Sequence, residues 1–151
     1  MPIEAGIPAP KFTLVDENSK PRSLEEFQGK PVVLYFYPKD DTPGCTTEAC
    51  SFRDDYDVYQ KAGVIILGVS PNSPKDHTKF KAKYKLPFSL LADTEHKVCE
   101  AYGVWGRKKF MGKEYDGVFR TTFLIGSDGV IRKVFENVKP DGHSKEVLEA
   151  L

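Results

Sequence analysis

Pro31-Val32-Val33-Leu34-Tyr35-Phe36-Tyr37 is a near-continuous apolar run rich in β-formers, and such a run reads as a strand covered on both faces, the central strand of a sheet. Val64 to Val69, in Val-Ile-Ile-Leu-Gly-Val, gives a second run of the same kind. Between the two lies a segment of helical spacing with a clear start signal, which makes a βαβ unit and implies parallel pairing. Further out, Ser73-Pro74 opens a helix running to about Tyr84, by the N-cap and first-turn proline rule. Ser89 to Ala92 reads as a short strand, and Thr94 as the cap of a helix ending near Tyr102. Thr121 to Ile125 and Val130 to Phe135 flank the turn cluster Gly126-Ser127-Asp128-Gly129 at hairpin distance, so the sheet ends antiparallel. Val147, Leu148 and Leu151 stand at helical spacing in the tail, which predicts a closing helix. The pattern predicts an α/β fold, a mixed central sheet flanked by helices, in a single domain over residues 1–151 with no repeat or linker.

A chain of 151 residues can bury a core that needs neither disulfides nor a metal to hold it. Lys plus Arg and Asp plus Glu balance at 22 each, so no basic face suited to nucleic acid or an anionic membrane is implied. No stretch approaches the roughly 18 apolar residues of a membrane span, and Met1-Pro2-Ile3-Glu4 does not read as a signal peptide. The expected setting is cytoplasmic, and three cysteines fit a reducing compartment better than a secreted disulfide framework.

Directly after the central strand comes Pro38-Lys39-Asp40-Asp41-Thr42-Pro43-Gly44-Cys45-Thr46-Thr47-Glu48-Ala49-Cys50. Thr42 suits an N-cap and Pro43 the first helical position. Cys45 then falls third in the helix, among backbone N–H groups without intrahelical partners and at the positive end of the dipole, both of which favour thiolate. Bringing an ordinary thiol from about 8.5 to about 6 takes roughly 3.4 kcal/mol, whereas a helix terminus contributes about 0.3–1 kcal/mol, about 2 when partly buried. A second positive group is therefore expected: a cation at ~4 Å in an effective dielectric of ~20 offers up to about 4 kcal/mol. Cys45, Ala49, Phe52, Tyr56 and Tyr59 recur at intervals of four and three, so they share one face against the sheet. This puts Cys45 near the carboxyl ends of the strands, where open α/β sheets place their sites, with Cys50 off the stripe and nearer solvent.

Position alone leaves Cys45 open to a plain reading as a small core residue. Its neighbours decide otherwise. Pro38, Thr42 and Cys45 in the order Pro-x-x-x-Thr-x-x-Cys, with Arg120 ahead of Thr-Thr-Phe-Leu-Ile, resemble the active-site pattern of the peroxiredoxins. Phe36 to Thr46 and a second cysteine five residues on are similar to the bacterioferritin-comigratory or peroxiredoxin Q subgroup. So are Ala9-Pro10-Lys11-Phe12-Thr13-Leu14, Gly29-Lys30, Phe52-Arg53-Asp54 and Ala101-Tyr102-Gly103-Val104-Trp105-Gly106, and the resemblance spans nearly the whole chain. It implies a thioredoxin-like fold and a monomer. It also implies a peroxidatic Cys45, a resolving Cys50, a Thr42 that hydrogen-bonds thiolate and peroxide, an Arg120 that supplies the missing cation, and a Pro38 that shields the site. Two departures stand out: the sequence stops at Leu151, short of a full terminal helix in that subgroup, and Cys99 has no assigned role.

The residue types also suit displacement at an O–O bond, where thiolate attacks one oxygen while charge builds on the other. The Thr42 hydroxyl, the Cys45 N–H and the Arg120 guanidinium could address both oxygens. The product is a sulfenic acid, which a nearby thiol such as Cys50 protects by condensing to an intramolecular disulfide. The implied activity is reduction of hydrogen peroxide and organic hydroperoxides, with recycling by thioredoxin or a similar dithiol, and it calls on no cofactor and no metal.

Plainer readings exist beside these. Arg120 can be a surface arginine at a strand start, Thr42 a cap only, and Cys50 inert. Cys99 follows His96 by three residues, a metal-ligand spacing with no second pair to complete it, so a packed helix cysteine is expected. His77 and His143 read as solvated helix residues, and Arg107-Lys108-Lys109 as an exposed loop. Two other functions compete: a thioredoxin-type disulfide oxidoreductase, which wants Cys-x-x-Cys where here four residues intervene, and a non-enzymatic redox sensor or holdase, which turnover would separate from a peroxidase.

Overall fold

The computed structural model describes residues 2–151. In chain order its strands are β1 (Thr13–Val15), β2 (Pro21–Ser23), β3 (Val32–Phe36), β4 (Ile65–Ser70), β5 (Ser89–Ala92), β6 (Trp105–Phe110), β7 (Lys113–Val118), β8 (Thr121–Ile125) and β9 (Ile131–Phe135). Its α-helices are α1 (Pro43–Asp54), α2 (Tyr56–Lys61), α3 (Pro74–Tyr84), α4 (Lys97–Ala101) and α5 (His143–Glu149). Seven strands of the described residues form one sheet in the order β2-β1-β5-β4-β3-β8-β9. β3, β4 and β5 pair in parallel, whereas β8, β9, β1 and β2 join antiparallel. This is the mixed sheet the sequence predicts, except that the two short strands at its far edge shift its middle from β3 to β4.

Alternation along β3 explains why its run is apolar throughout. Val32, Leu34 and Phe36 enter one core, while Val33, Tyr35 and Tyr37 enter the other, because successive side chains of a strand point to opposite faces. The first core is closed by Val98, Cys99 and Tyr102 around α4. The second is closed by Cys45, Ala49 and Phe52 of α1, Tyr59 of α2, Phe80 of α3 and Val147 of α5. The expected stripe therefore holds, although the helix breaks at Asp55 (φ −99°, ψ 8°) and leaves Tyr56 only partly buried.

Three expectations are corrected. Arg107-Lys108-Lys109 is not a loop: it lies in β6, which pairs with β7 in a separate two-stranded ribbon. The ribbon turns through Met111 (φ 52°) and Gly112 (φ 81°), a pair of positive φ values that suits a tight hairpin. Thr94 does not cap α4; the Asp93 carboxylate accepts the backbone N–H groups of Val98 and Cys99 at 3.3 and 2.7 Å. His77 and His143 are not solvated but fully buried. Each sits on the inner face of its helix, three residues before Phe80 and four before Val147.

Candidate functional site

The last register pair between β3 and β8 is Phe36 with Thr121. The chain leaving β3 through Pro38 and the residue entering β8, Arg120, are thereby brought to one end of the sheet, at the carboxyl end of the parallel strands. Thr42 has the extended backbone of an N-cap (φ −93°, ψ 156°), and Pro43 opens α1. The first helical bond runs from the Thr46 N–H to the Thr42 carbonyl at 2.8 Å, so Cys45 stands in the first turn, among N–H groups with no intrahelical acceptor.

The expected cation is in place. Arg120 Nη2 donates to Cys45 Sγ at 3.3 Å, across a sequence separation that only the β3–β8 register closes. The other arm of the fork, Nη1, donates to Glu48 Oε1 at 2.7 Å. Arg120 is thus held between a sulfur and a carboxylate of the same helix, three residues apart, with 17% of its side chain exposed and none of that of Glu48. Gly44 makes room for it: a Cβ there would lie 3.2 Å from Arg120 Nη2 and 3.4 Å from Pro140 Cγ.

Glu48 is a site residue that the sequence reading passed over. It follows Cys45 by three and precedes Phe52 by four, spacing that already places it on the inner face of α1. Burial pushes its carboxyl up to about 7, against the pull of Arg120, and its Oε2 is buried without a hydrogen-bond partner. Beneath it Tyr35 is fully buried, and its phenol is raised well above its usual range by burial and then by Glu48 and Cys45, so it stays neutral.

The remaining predicted residues differ in how directly they meet the sulfur. Cys45 is buried and Cys50 half-buried, as the helical stripe requires. Burial raises the Cys50 thiol, with Arg53 pulling the other way, so Cys50 is a thiol and not a rival thiolate. The Thr42 hydroxyl donates to the Lys39 carbonyl at 2.9 Å; in this state it braces the loop, and its lone pairs are free to accept. Pro38 is half-buried at the loop's start. Cys99 is buried, and burial together with Asp93 drives its thiol strongly up, the behaviour of an inert packed cysteine. Its neighbour His96 stacks on Trp105 with ring centroids 4.0 Å apart. Lys108 is drawn toward the site as well: its Nζ donates to the Val118 carbonyl at 2.9 Å, and its pKa is lowered by burial and by Arg120.

The AhpC/TSA family model matches residues 5–134. A putative peroxiredoxin bcp of Coxiella burnetii is 54% identical over 151 residues, covering 100% of both chains. The peroxiredoxin Bcp of Escherichia coli K12 is 49% identical over 150 residues, covering 99% of this chain and 96% of the relative. Among solved structures, the bacterioferritin comigratory protein of Xanthomonas campestris, described for its alkyl peroxide reduction activity, superposes with a TM-score of 0.90. It shows 36% identity, over 97% of this chain and 96% of that one. The BcpB of Mycobacterium tuberculosis gives a TM-score of 0.86 at 32% identity, over 97% and 95%.

Proposed function

Because the chain belongs to the AhpC/TSA family, and within it resembles the Bcp and peroxiredoxin Q proteins, we propose that Cys45 is the peroxidatic cysteine of a thiol-dependent peroxidase and Cys50 its resolving partner. The observation that carries this assignment is the 3.3 Å contact of Arg120 Nη2 with Cys45 Sγ in the first turn of α1. A peroxidase of this family takes a hydroperoxide and a thioredoxin-type dithiol. On our reading it works as one domain and a monomer; no helix of the described residues is long and apolar enough to cross a membrane.

The Cys45 thiolate attacks the distal oxygen of the hydroperoxide; an S–O bond forms as the O–O bond breaks, and the leaving oxygen departs as the alcohol, or as water, after taking a proton. Arg120, fixed by Glu48, places positive charge where that negative charge moves. Thr42 can turn its hydroxyl from the Lys39 carbonyl toward the peroxide, and Pro38 covers the approach. The Cys50 thiol then attacks the sulfenic sulfur, releasing water and forming a disulfide, which the dithiol reduces by exchange.

The test is peroxide consumption coupled to thioredoxin, its reductase and NADPH. Many equivalents should be consumed per protein, and Cys45→Ser should abolish the activity while leaving the fold intact. A single oxidation event without turnover would favour a sensor instead, and a Cys45→Ser variant that kept more than a small residue of the rate would overturn the assignment.

A further inference from the structure

A second buried polar constellation lies on the other side of the loop that precedes Cys45. Tyr37 donates its hydroxyl to Asp40 Oδ1 at 2.6 Å, Asp40 Oδ2 meets His77 Nδ1 at 2.6 Å, and His77 Nε2 meets the Leu91 carbonyl at 2.9 Å. The chain of bonds runs from the end of β3, through the loop, across α3, to β5. Both ring nitrogens of His77 face oxygens, so the ring ties α3 to the loop on one side and to β5 on the other. Asp40 is also held by its own N–H, which donates to Asn72 Oδ1 at 3.0 Å. Its neighbour Asp41 has φ 59°, a left-handed backbone that a non-glycine residue keeps only where its surroundings fix it. They do so here: Lys83 and Tyr84 of α3 donate to the Asp41 carboxylate at 2.8 and 2.9 Å.

A buried polar pair is a weak stabiliser, since an apolar pair of similar volume commonly does as well. Its placement is more telling. His77 is fully buried and reaches from α3 to the only stretch of chain between β3 and the peroxidatic helix. We propose that Asp40 and His77 are positioning residues that hold the loop fixed up to Thr42 and so set the balance between a wound α1, which attacks peroxide, and an opened α1, which lets Cys50 reach Cys45. The proposal rests on the peroxidase reading above. Its consequence is directional: weakening the clamp slows formation of the sulfenic acid and speeds closure of the disulfide.

The experiment follows sulfenic acid and disulfide separately by rapid quench and mass spectrometry in a single turnover. The double variant Asp40→Ala/His77→Leu removes both members of the pair; the Tyr37 hydroxyl and the Leu91 carbonyl each lose a partner, which lowers the thermal midpoint, so both rates are read well below it. The variant's sulfenic acid should form about tenfold more slowly, the equivalent of ~1.4 kcal/mol, and its disulfide should close faster. Asp40→Asn, which can still accept from Tyr37 and bond to His77 Nδ1, should keep both rates near those of the parent. The proposal is overturned if the double variant runs both steps at the parent's rates, if both steps change by one common factor, or if Asp40→Asn behaves like the double variant. Should the double variant fail to fold, amide exchange in the unaltered protein decides: residues 37–41 must be less protected in the disulfide form than in the reduced form, because a contact that favours the wound helix is weakened when the helix opens, and equal protection in the two forms overturns the proposal. Which sulfur is oxidised in these mass maps reports on the peroxidase assignment, and the ratio of the two rates reports on the clamp, so the two failures are distinct.

Discussion

Oxidising the reduced protein with one equivalent of peroxide should unwind the first turns of α1, and the structure sets where the unwinding stops. Cys45 and Cys50 both lie inside α1 (Pro43–Asp54). In a regular helix five residues give about 7.5 Å of rise and a turn of about 140°, which separates their Cα atoms by roughly 8.7 Å. A disulfide spans at most about 7 Å between Cα atoms, so the backbone must move. Opening is inexpensive near the start, where Gly44, Thr46 and Thr47 are weak helix formers and each backbone bond is worth about 0.5–1.5 kcal/mol net. It becomes costly at Phe52, which is fully buried with its ring centroid 4.9 Å from Tyr35, 5.9 Å from Tyr59 and 5.6 Å from His143. Exposing that ring forfeits about 1.5–3 kcal/mol of burial and about 0.5–1.5 kcal/mol for each ring pair lost. Amide exchange after oxidation should therefore quicken across residues 46–55, whose N–H groups lose their acceptors four residues earlier when the start of α1 unwinds, and stay slow at Tyr59 of α2, whose ring packs on Phe52. Cys50→Ser should abolish the change. A Cys45–Cys50 disulfide with unchanged exchange across residues 46–55 would refute the helical geometry, and loss of protection at Tyr59 would refute the anchor.

Arg120→Met should lower the alkylation rate of Cys45 at pH 7 by about 10- to 150-fold, measured in a background lacking Cys50 and Cys99, because a hydrogen bond to a charged group is worth about 1.5–3 kcal/mol; an unchanged rate would remove Arg120 from the site. Glu48→Gln should flatten the pH dependence of stability. The Glu48 carboxyl is pushed from its ordinary 4.5 to about 7 by burial, so the folded state keeps its proton longer than the unfolded state. Stability from this group is then full below about pH 4.5 and lost as pH rises to about 7. Denaturant midpoints at pH 5 to 8 that fall equally in parent and variant would contradict this. Gly44→Ala should separate stability from activity: the helix gains up to about 1 kcal/mol, while the new Cβ, 3.2 Å from Arg120 Nη2, displaces the guanidinium and slows peroxide consumption. Equal or faster consumption would show that Arg120 has room to spare.

How much of this was legible in the sequence follows the range of the interactions concerned. The runs at 31–37 and 64–69 became β3 and β4 because a strand buried on both faces has no alternative but to be apolar. Thr42-Pro43 and Ser73-Pro74 marked helix starts because capping is local, and Ser73 Oγ does accept the Asp76 N–H at 3.2 Å. The β6–β7 ribbon was illegible because both its strands are largely polar and exposed, and Met111-Gly112 takes the place of the usual Asn-Gly at its turn. His77 and His143 were misread because their partners, Asp40 and Thr122, lie 37 and 21 residues away. Only their register with Phe80 and Val147 hinted at burial. At the site, Arg120 was recovered by resemblance and not by spacing, since the sequence separation of 75 between it and Cys45 is closed by sheet register alone. Glu48 was missed because an acidic side chain on a helix is ordinarily solvated, and its partner Arg120 lies 72 residues away.

Glu48 and Cys45 share one helix, and Arg120 grips both. When α1 unwinds so that Cys50 can approach, Glu48 is carried off with it, and the arginine loses the carboxylate that aims it. Attack and resolution then behave like the two pallets of an escapement: engaging one disengages the other. A second peroxide arriving mid-cycle would find the sulfenic sulfur without its aligned guanidinium, so the enzyme's resistance to over-oxidation should grow with the fraction of time its helix spends open.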